Sequence, residues 1–213
     1  TKSPPFAIFY NMYIPTDQGE TGVRKSLEII TEQVGQVGSS YAASFPGKPV
    51  TIFYNTIGER DVINQRHMSH ICANHHNILC IHLHHYDEGF ELLTLQRMYD
   101  YCQYTKDTAD NDEQDDRVVY MHNKGSYHSL HGEADRVRQH LTMAVTNELC
   151  LKPPDDTCSA CGLRFFTVWS MQFPGNFFTT KCSYVRKLIP PLAFPAKLSA
   201  VFDRLAQRIE ENP

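Results

Sequence analysis

The apolar positions of this chain fall into short period-two runs separated by longer period-3.6 stretches. "FAIFYNMYI", residues 6–14, is rich in aromatic and branched residues and is closed by Pro15 and a polar "TDQGETG" loop, which predicts a first strand. Val23, Leu27, Ile30, Val34 and Val37 then step by four and three, the spacing of one helical face, with Gly35 and Gly38 weakening the far end. "VTIFYNTI" (50–57) and "ILCIHLH" (78–84) repeat the strand signature, and the segment from Phe90 to about Tyr104 reads as a helix apolar over a wide arc. "VVYMH" predicts a fourth strand. A helix from about Glu133 to Thr146 follows, with Val137, Leu141, Ala144 and Val145 on one side. After a cysteine-bearing loop (149–164), a C-terminal helix over 195–211 places Leu198, Val201, Phe202, Leu205 and Ile209 on one face.

Alternating strands and helices are the order of a mostly parallel sheet covered on both faces, because parallel neighbours need crossover connections. The expected fold is therefore α/β, a single αβα sandwich forming one domain over 1–213. Ligands in such sheets lie beyond the carboxyl ends of the strands. That rule selects Asn11 to Tyr13, Tyr54 to Thr56, His84 to Glu88, and His122 to Gly125 as candidate positions.

Composition narrows the reading. A chain of 213 residues buries roughly 70–75% of its unfolded surface in one core. Its formal net charge of −4 gives no electrostatic draw toward a nucleic-acid backbone, so nucleic acid is excluded as the leading partner. The longest apolar runs fall far short of the roughly 18 residues that span a bilayer, and no membrane contact is expected of this segment itself. The chain starts at Thr1 rather than Met, so the sequence carries no information on an upstream signal or anchor.

Seven cysteines are many for a reduced compartment. Cys150, Cys158, Cys161 and Cys182 flank one loop-rich stretch, and "CSACG" has the turn spacing of half a zinc site. Two disulfides among these four explain the cluster equally well and are slightly preferred. Cys72, Cys80 and Cys102 sit in apolar surroundings, where buried reduced thiols are expected.

Several stretches carry chemistry, each with a plainer explanation beside it. "TKDTADNDEQDD" holds six carboxylates and spells Asp110-Asn111-Asp112, but it precedes its strand and has the composition of a solvated loop. His82 and His84 are expected on one face of their strand. With Asp87 and His122 they suggest a metal-dependent hydrolase, although the order His82-Leu83-His84-His85-Tyr86-Asp87 does not match the HxHxDH type. No Gly-x-Ser-x-Gly, His-Glu-x-x-His or phosphate-binding Gly-x-x-x-x-Gly-Lys-Ser/Thr sequence occurs. "YMHNKG" puts Lys124 directly beyond a hydrophobic strand, before a glycine that permits close backbone approach. A turn with a solvated lysine explains that stretch as well as an anion site does.

The stretch "FPGNFFTTKCSYVRKLIPP" (173–191) tips the balance. Together with "VVYMHNKG" it resembles a family of glycosyltransferase-like proteins with a strand-ending His-x-Lys-Gly motif, a downstream Ser/Pro-Gly-Asn-Phe-aromatic motif and a Tyr-x-x-Lys-Leu-Pro-like segment. The matching residues are His122, Lys124 and Gly125; Pro174, Gly175, Asn176, Phe177 and Phe178; and Tyr184, Lys187 and Leu188. "YDEGFELLTLQRMYDY" (86–101) resembles the family's preceding helix, with Glu91 and Leu95 in place. Two positions depart from the pattern: Asn123 replaces the usual Thr, and Phe178 and Thr179 replace a Trp pair.

The resemblance implies a GT-A type nucleotide-sugar fold, a UDP- or GDP-sugar donor, a carbohydrate acceptor and a Golgi or ER lumenal setting. It leaves a divalent metal open, because the strand end that carries metal-binding carboxylates in many such enzymes here holds His122 to Lys124. Lys124, His122 and Glu91 become the candidate catalytic residues, with Lys124 stabilising the diphosphate leaving group. Asp87 and Glu88 are also eligible as the general base. Tyr10, Asn11, Tyr13, Asn123 and Gly125 are the candidate donor contacts. Gly175, Asn176 and Phe177 are the candidate sugar and acceptor contacts. A non-catalytic carbohydrate-binding relative of the fold is the remaining alternative.

Overall fold

The computed structural model describes residues 6–60, 65–108, 116–123, 133–155, 158–165 and 173–211. The chain opens with β1 (Phe6–Ile14), α1 (Gly19–Ser44), β2 (Val50–Gly58), α2 (Gln65–Ala73), β3 (Ile78–Tyr86), α3 (Leu92–Thr108) and β4 (Arg117–His122). It continues through α4 (Glu133–Thr146), α5 (Glu148–Leu151), β5 (Ala160–Cys161), a 3₁₀ turn (Pro174–Asn176), β6 (Phe178–Lys181) and α6 (Cys182–Val185). A second 3₁₀ turn (Pro191–Ala193) leads into α7 (Phe194–Glu211).

The six described strands form one mixed, mostly parallel sheet in the order β3-β2-β1-β4-β6-β5. β1 lies in its middle, parallel to both β2 and β4, and β3 is parallel to β2. β6 and β5 complete the sheet antiparallel. The chain steps outward from β1 to β3 and then returns to β4 on the other side of β1. The order therefore reverses between β1 and β4, which is where an open α/β sheet offers a crevice beyond its carboxyl ends.

β1 shows why such a strand must be central. Ile8, Tyr10, Met12 and Ile14 face a core shared with Ile30, Val34 and Val37 of α1, Met68 and Ile71 of α2, and Leu141 and Val145 of α4. Ala7 and Phe9 face the opposite core, with Met98 and Cys102 of α3 and Val118 and Tyr120 of β4. A strand apolar on both faces can only be buried between two helical layers. The α1 stripe Val23, Leu27, Ile30, Val34 and Val37 packs on the first face as its period requires.

Three features depart from the sequence reading. α2 carries only three buried apolar residues, Met68, Ile71 and Cys72, too few to stand out among its histidines. β6 forms inside the stretch read as a binding motif, its Thr179 and Thr180 buried against β4 and β5. α7 forms as a helix, but none of its residues is buried, and its stripe of Leu198, Val201, Phe202, Leu205 and Ile209 lies exposed.

The cysteine reading is corrected. Cys72 pairs with Cys80, Cys102 with Cys182, and Cys150 with Cys161. Cys158 remains a thiol. The three cysteines taken as reduced are all oxidised, because the sheet brings the end of α2 to β3 and sets α3 against α6 across 80 residues of sequence. A four-thiolate zinc set at Cys150, Cys158, Cys161 and Cys182 is likewise ruled out, since three of those sulfurs are bonded. No described helix is long and apolar enough to cross a membrane.

Candidate functional site

At the carboxyl ends of the parallel strands a row of polar residues replaces the apolar rows below it. Asn11 of β1 stands in register with Asn55 of β2 and His122 of β4, and Asn55 with His84 of β3. Asn11, like Ala7 and Phe9, points to the α3 face, by the period of two along the strand. There the buried Thr94 of α3 donates its hydroxyl to Asn11 Oδ1 at 2.7 Å and accepts from Asn55 Nδ2 at 2.9 Å. Thr94 escaped the sequence reading. Its signal is a polar residue inside the apolar arc of α3, three residues after Glu91.

Glu91 immediately precedes α3, and its carbonyl accepts the backbone N–H of Thr94 and Leu95. Its carboxylate is the centre of the site. Oε2 accepts from Asn176 Nδ2 at 2.8 Å, and Oε1 lies 3.6 Å from His122 Nε2. His122 Nε2 meets the Gly175 carbonyl at 2.7 Å, which fixes the proton on that nitrogen, and its ring packs on Phe177 with centroids 5.0 Å apart. Gly175 and Asn176 both adopt positive φ, 69° and 56°, in the 3₁₀ turn. Glycine reaches that conformation without strain and asparagine more readily than most residues, which explains Gly-Asn at this bend. Beneath, the Tyr120 hydroxyl faces Glu91 outside ordinary hydrogen-bond geometry. Burial first, and the Glu91 charge second, push its ionisation well above the usual tyrosine value.

Three stretches far apart in the chain thus meet at one place: the start of α3, the end of β4 and the Pro174–Asn176 turn. Lys124 and Gly125, the heart of the His-x-Lys-Gly motif, lie outside the described residues, as does Asp110-Asn111-Asp112.

The candidate donor contacts fare differently from one another. Asn123 is buried, and its carboxamide closes the end of the sheet. Its Oδ1 accepts from Tyr13 N at 2.7 Å and its Nδ2 donates to Tyr13 O at 2.6 Å, while Asn123 N donates to Asn11 O at 3.2 Å. The side chain therefore acts as an extra rung between β1 and β4 rather than as a free donor. Asn11 spends its carboxamide oxygen on Thr94, and Tyr13 is half-buried at the strand end.

Two expectations need correction. Tyr10 is fully buried on the α1 face, its hydroxyl donating to Gln33 Oε1 at 2.6 Å, and cannot meet a base or ribose. Phe177 is fully buried under His122 and supports the site from below instead of walling it.

Gln33 also donates to the His122 carbonyl at 3.2 Å and to Thr142 Oγ1 at 3.1 Å, so α1 holds the backbone of the site from behind. Beside it the buried Arg138 of α4 bonds Glu32 Oε2 and Asp135 Oδ1, each at 2.8 Å. Burial alone would lower the Arg138 pKa; the two carboxylates outweigh it and raise it.

The histidine cluster is also rearranged. A β-bulge between the β2 and β3 registers shifts Leu83 out of the ladder, so His82 opposes Tyr54, His84 opposes Asn55, and His85 opposes Thr56. His82 and His85, not His82 and His84, share a face, and both meet Thr56 Oγ1, at 3.3 and 2.9 Å. Burial lowers the His82 pKa below its ordinary value. Asp87 lies 3.4 Å from His85 and 3.5 Å from Arg60. β2 and β1 separate β3 from β4, so His122 stands roughly 14 Å away, three strand spacings, and cannot complete a hydrolase ligand set with His82, His84 and Asp87. Among the described residues no three His, Cys, Asp or Glu side chains are grouped to hold a metal ion.

An open apolar groove of about 840 Å³ runs beside the Glu91 cluster. Leu95, Met98 and Tyr99 of α3 form one wall, Phe173 and Phe178 bracket the Pro174–Asn176 turn, and Tyr184, Leu188 and Pro191 extend the far end.

Among known proteins, the chain matches over residues 9–213 the family model described as Domain of unknown function (DUF8361). No curated protein matches it in sequence. A crystal structure from Desulfovibrio desulfuricans G20, provisionally assigned as a nucleotide-diphospho-sugar transferase, is similar at 14% identity and a TM-score of 0.36, over 87% of this chain and 66% of that one. The chain thus spans about two thirds of that protein's length, and a likeness at this level carries no argument about activity.

Proposed function

Starting from a chain that belongs to the DUF8361 family of unknown function, we propose that it is a GT-A-like glycosyltransferase moving a sugar from a UDP- or GDP-sugar to a glycan or protein acceptor. The observation that supports this reading is the meeting of Glu91, His122 and Asn176 at the carboxyl end of β4, beside the point where strand order reverses. Those residues belong to the three stretches on which the sequence resemblance rests.

The chemistry assigns one role to each group. Glu91 takes the proton from the acceptor hydroxyl as its oxygen bonds to the anomeric carbon and the bond from that carbon to the diphosphate breaks. Asn176 holds Oε2, and His122, fixed on the Gly175 carbonyl, orients the other edge of the carboxylate. Lys124, two residues beyond His122 in sequence, is the proposed partner of the charge that grows on the leaving diphosphate. Three disulfides suit an oxidising lumen, such as the Golgi or ER.

The reading is tested by a thermal-shift panel of nucleoside diphosphates and their sugars, with and without Mn²⁺, because a ligand of the native state alone must raise the melting temperature. A nucleoside diphosphate is expected to stabilise the protein, and Glu91→Gln is expected to keep that shift while transfer falls by about 10²–10⁴. No shift with any nucleotide, or undiminished turnover in Lys124→Met, sinks the proposal. One observation favours a second reading, a sugar-binding domain without transfer: both Glu91 oxygens already have partners within the protein. Sugar binding without nucleotide binding would select it.

A further inference from the structure

We infer that the groove beside Glu91 binds an amphiphile, a sugar or hydroxyl head carrying an alkyl chain, and that this is the acceptor's chemical class. The acceptor role rests on the transferase reading; the binding of an alkyl chain does not. At about 840 Å³ the groove lies within the range of small-molecule sites. Its described walls come from α3, β5, β6 and α6 together with the loops that join them. Leu95 stands one turn along α3 from Glu91, whose carbonyl accepts its N–H, so the apolar wall begins where the polar cluster ends. Phe173 and Phe178 flank the turn that carries Asn176 and stack with centroids 6.5 Å apart, so a molecule whose hydroxyl meets Glu91 and Asn176 would continue over this ring pair.

The floor is closely fitted. A Cβ on Gly162 would approach Phe173 Cδ1 to 2.6 Å and the Phe177 carbonyl to 3.0 Å, so only glycine lets the β5 end pack this tightly. The Cys102–Cys182 disulfide ties α3 to the start of α6, and Cys150–Cys161 anchors β5, so both walls are covalently tied to the fold. The groove remains open at its far end, where Leu188 and Ile189 are 46% and 41% exposed, and Leu192 and Phe194 extend the apolar surface beyond Pro191. An apolar channel with the Glu91 cluster one helical turn from its Leu95 wall and solvent at its far end fits a chain with a hydrophilic head, not a free sugar.

Cys158, the free thiol among the described residues, lines this groove and serves as its reporter. The experiment measures the rate of N-ethylmaleimide labelling of Cys158 in the whole protein against methyl, hexyl, octyl and decyl β-glucosides, each below its micelle concentration. Protection is expected with the longer chains, affinity rising about fourfold per methylene until the groove is filled. Leu188→Glu, at a half-exposed site, is expected to keep the parent's circular dichroism and melting temperature and to abolish the dependence on chain length. Equal affinity across the series, absence of protection, or a Leu188→Glu protein that retains the full dependence overturns the inference. Nucleoside-diphosphate binding measured on the same samples separates the two proposals. Alkyl binding without nucleotide binding removes the transferase reading alone, and nucleotide binding without alkyl binding removes the groove alone.

Discussion

Asn123→Ala tests whether the residue beside the proposed site is a contact for a ligand or a rung of the sheet. The side chain makes two short bonds to the Tyr13 backbone, 2.7 Å from its N–H and 2.6 Å to its carbonyl. Removing it deletes both bonds, although the Tyr13 carbonyl keeps a long contact from the Ser26 hydroxyl at 3.4 Å. A hydrogen bond contributes about 1 kcal/mol net, and a buried group left unpaired costs about 1–3 kcal/mol. Tyr13 is only half-buried, so water can reach one of the two groups and the lower part of the range applies. The expected loss is roughly 2–3 kcal/mol, which at about 2–4 °C per kcal/mol for a domain of this size lowers Tm by roughly 4–12 °C. Urea unfolding should show a lower midpoint with an unchanged slope. Asn123→Asp should recover none of the loss at neutral pH, because a carboxylate still accepts from Tyr13 N but sets a second acceptor and a buried charge against the Tyr13 carbonyl. A Tm within about 1 °C of the parent, combined with weaker nucleotide binding, would refute the structural role and restore Asn123 as a ligand contact.

Further outcomes follow from the same geometry. Replacing Cys102 and Cys182 together by Ala should cost roughly 4–5 kcal/mol by loop entropy, against about 2.5 kcal/mol for the Cys72–Cys80 pair, because the closed segments differ tenfold in length; chemical denaturation of the two variants under oxidising conditions checks the order. Arg138→Met should destabilise by about 2–3 kcal/mol, less than a fully buried pair, since Glu32 and Asp135 keep about a third of their surface in water. Burial pushes Tyr41, Tyr54 and Tyr101 up to about 12, so the unfolded chain ionises first, near 10. The native state then holds protons that the unfolded state has lost. Stability is full below pH 10 and falls as pH rises toward 12, which a phenolate absorbance titration run beside circular dichroism will show as coincident transitions.

How much of the site was legible depended on whether its signal was local. Glu91, His122, Gly175 and Asn176 could be named from motif positions, because each sits where an element begins, ends or turns. That Glu91 and Asn176 share a hydrogen bond could not be read, since 85 residues separate them and only the packing of β6 beside β4 brings the turn to α3. Tyr10 shares a strand end with Asn11 but turns to the α1 face, because neighbours along a strand point to opposite sides and position in sequence does not say which side is lined by the site. His82 and His84 were paired by a period of two that the β-bulge at Leu83 breaks.

The sequence by itself determined the four parallel strands β1 to β4, the helices α1, α3, α4 and α7, and the αβα layering that they build. Burial on both faces is written into β1, and the 3.6-residue stripe of α1 is written against it, because both are patterns along a few neighbouring residues. Only the tertiary structure decided the cysteine partners, the antiparallel β6 and β5, the bulge that exchanges His84 for His85, and the use of Asn123 as a rung between strands. Each of these is a contact between residues distant in the chain, selected by which groups close packing leaves within bonding reach, and no local periodicity encodes that choice.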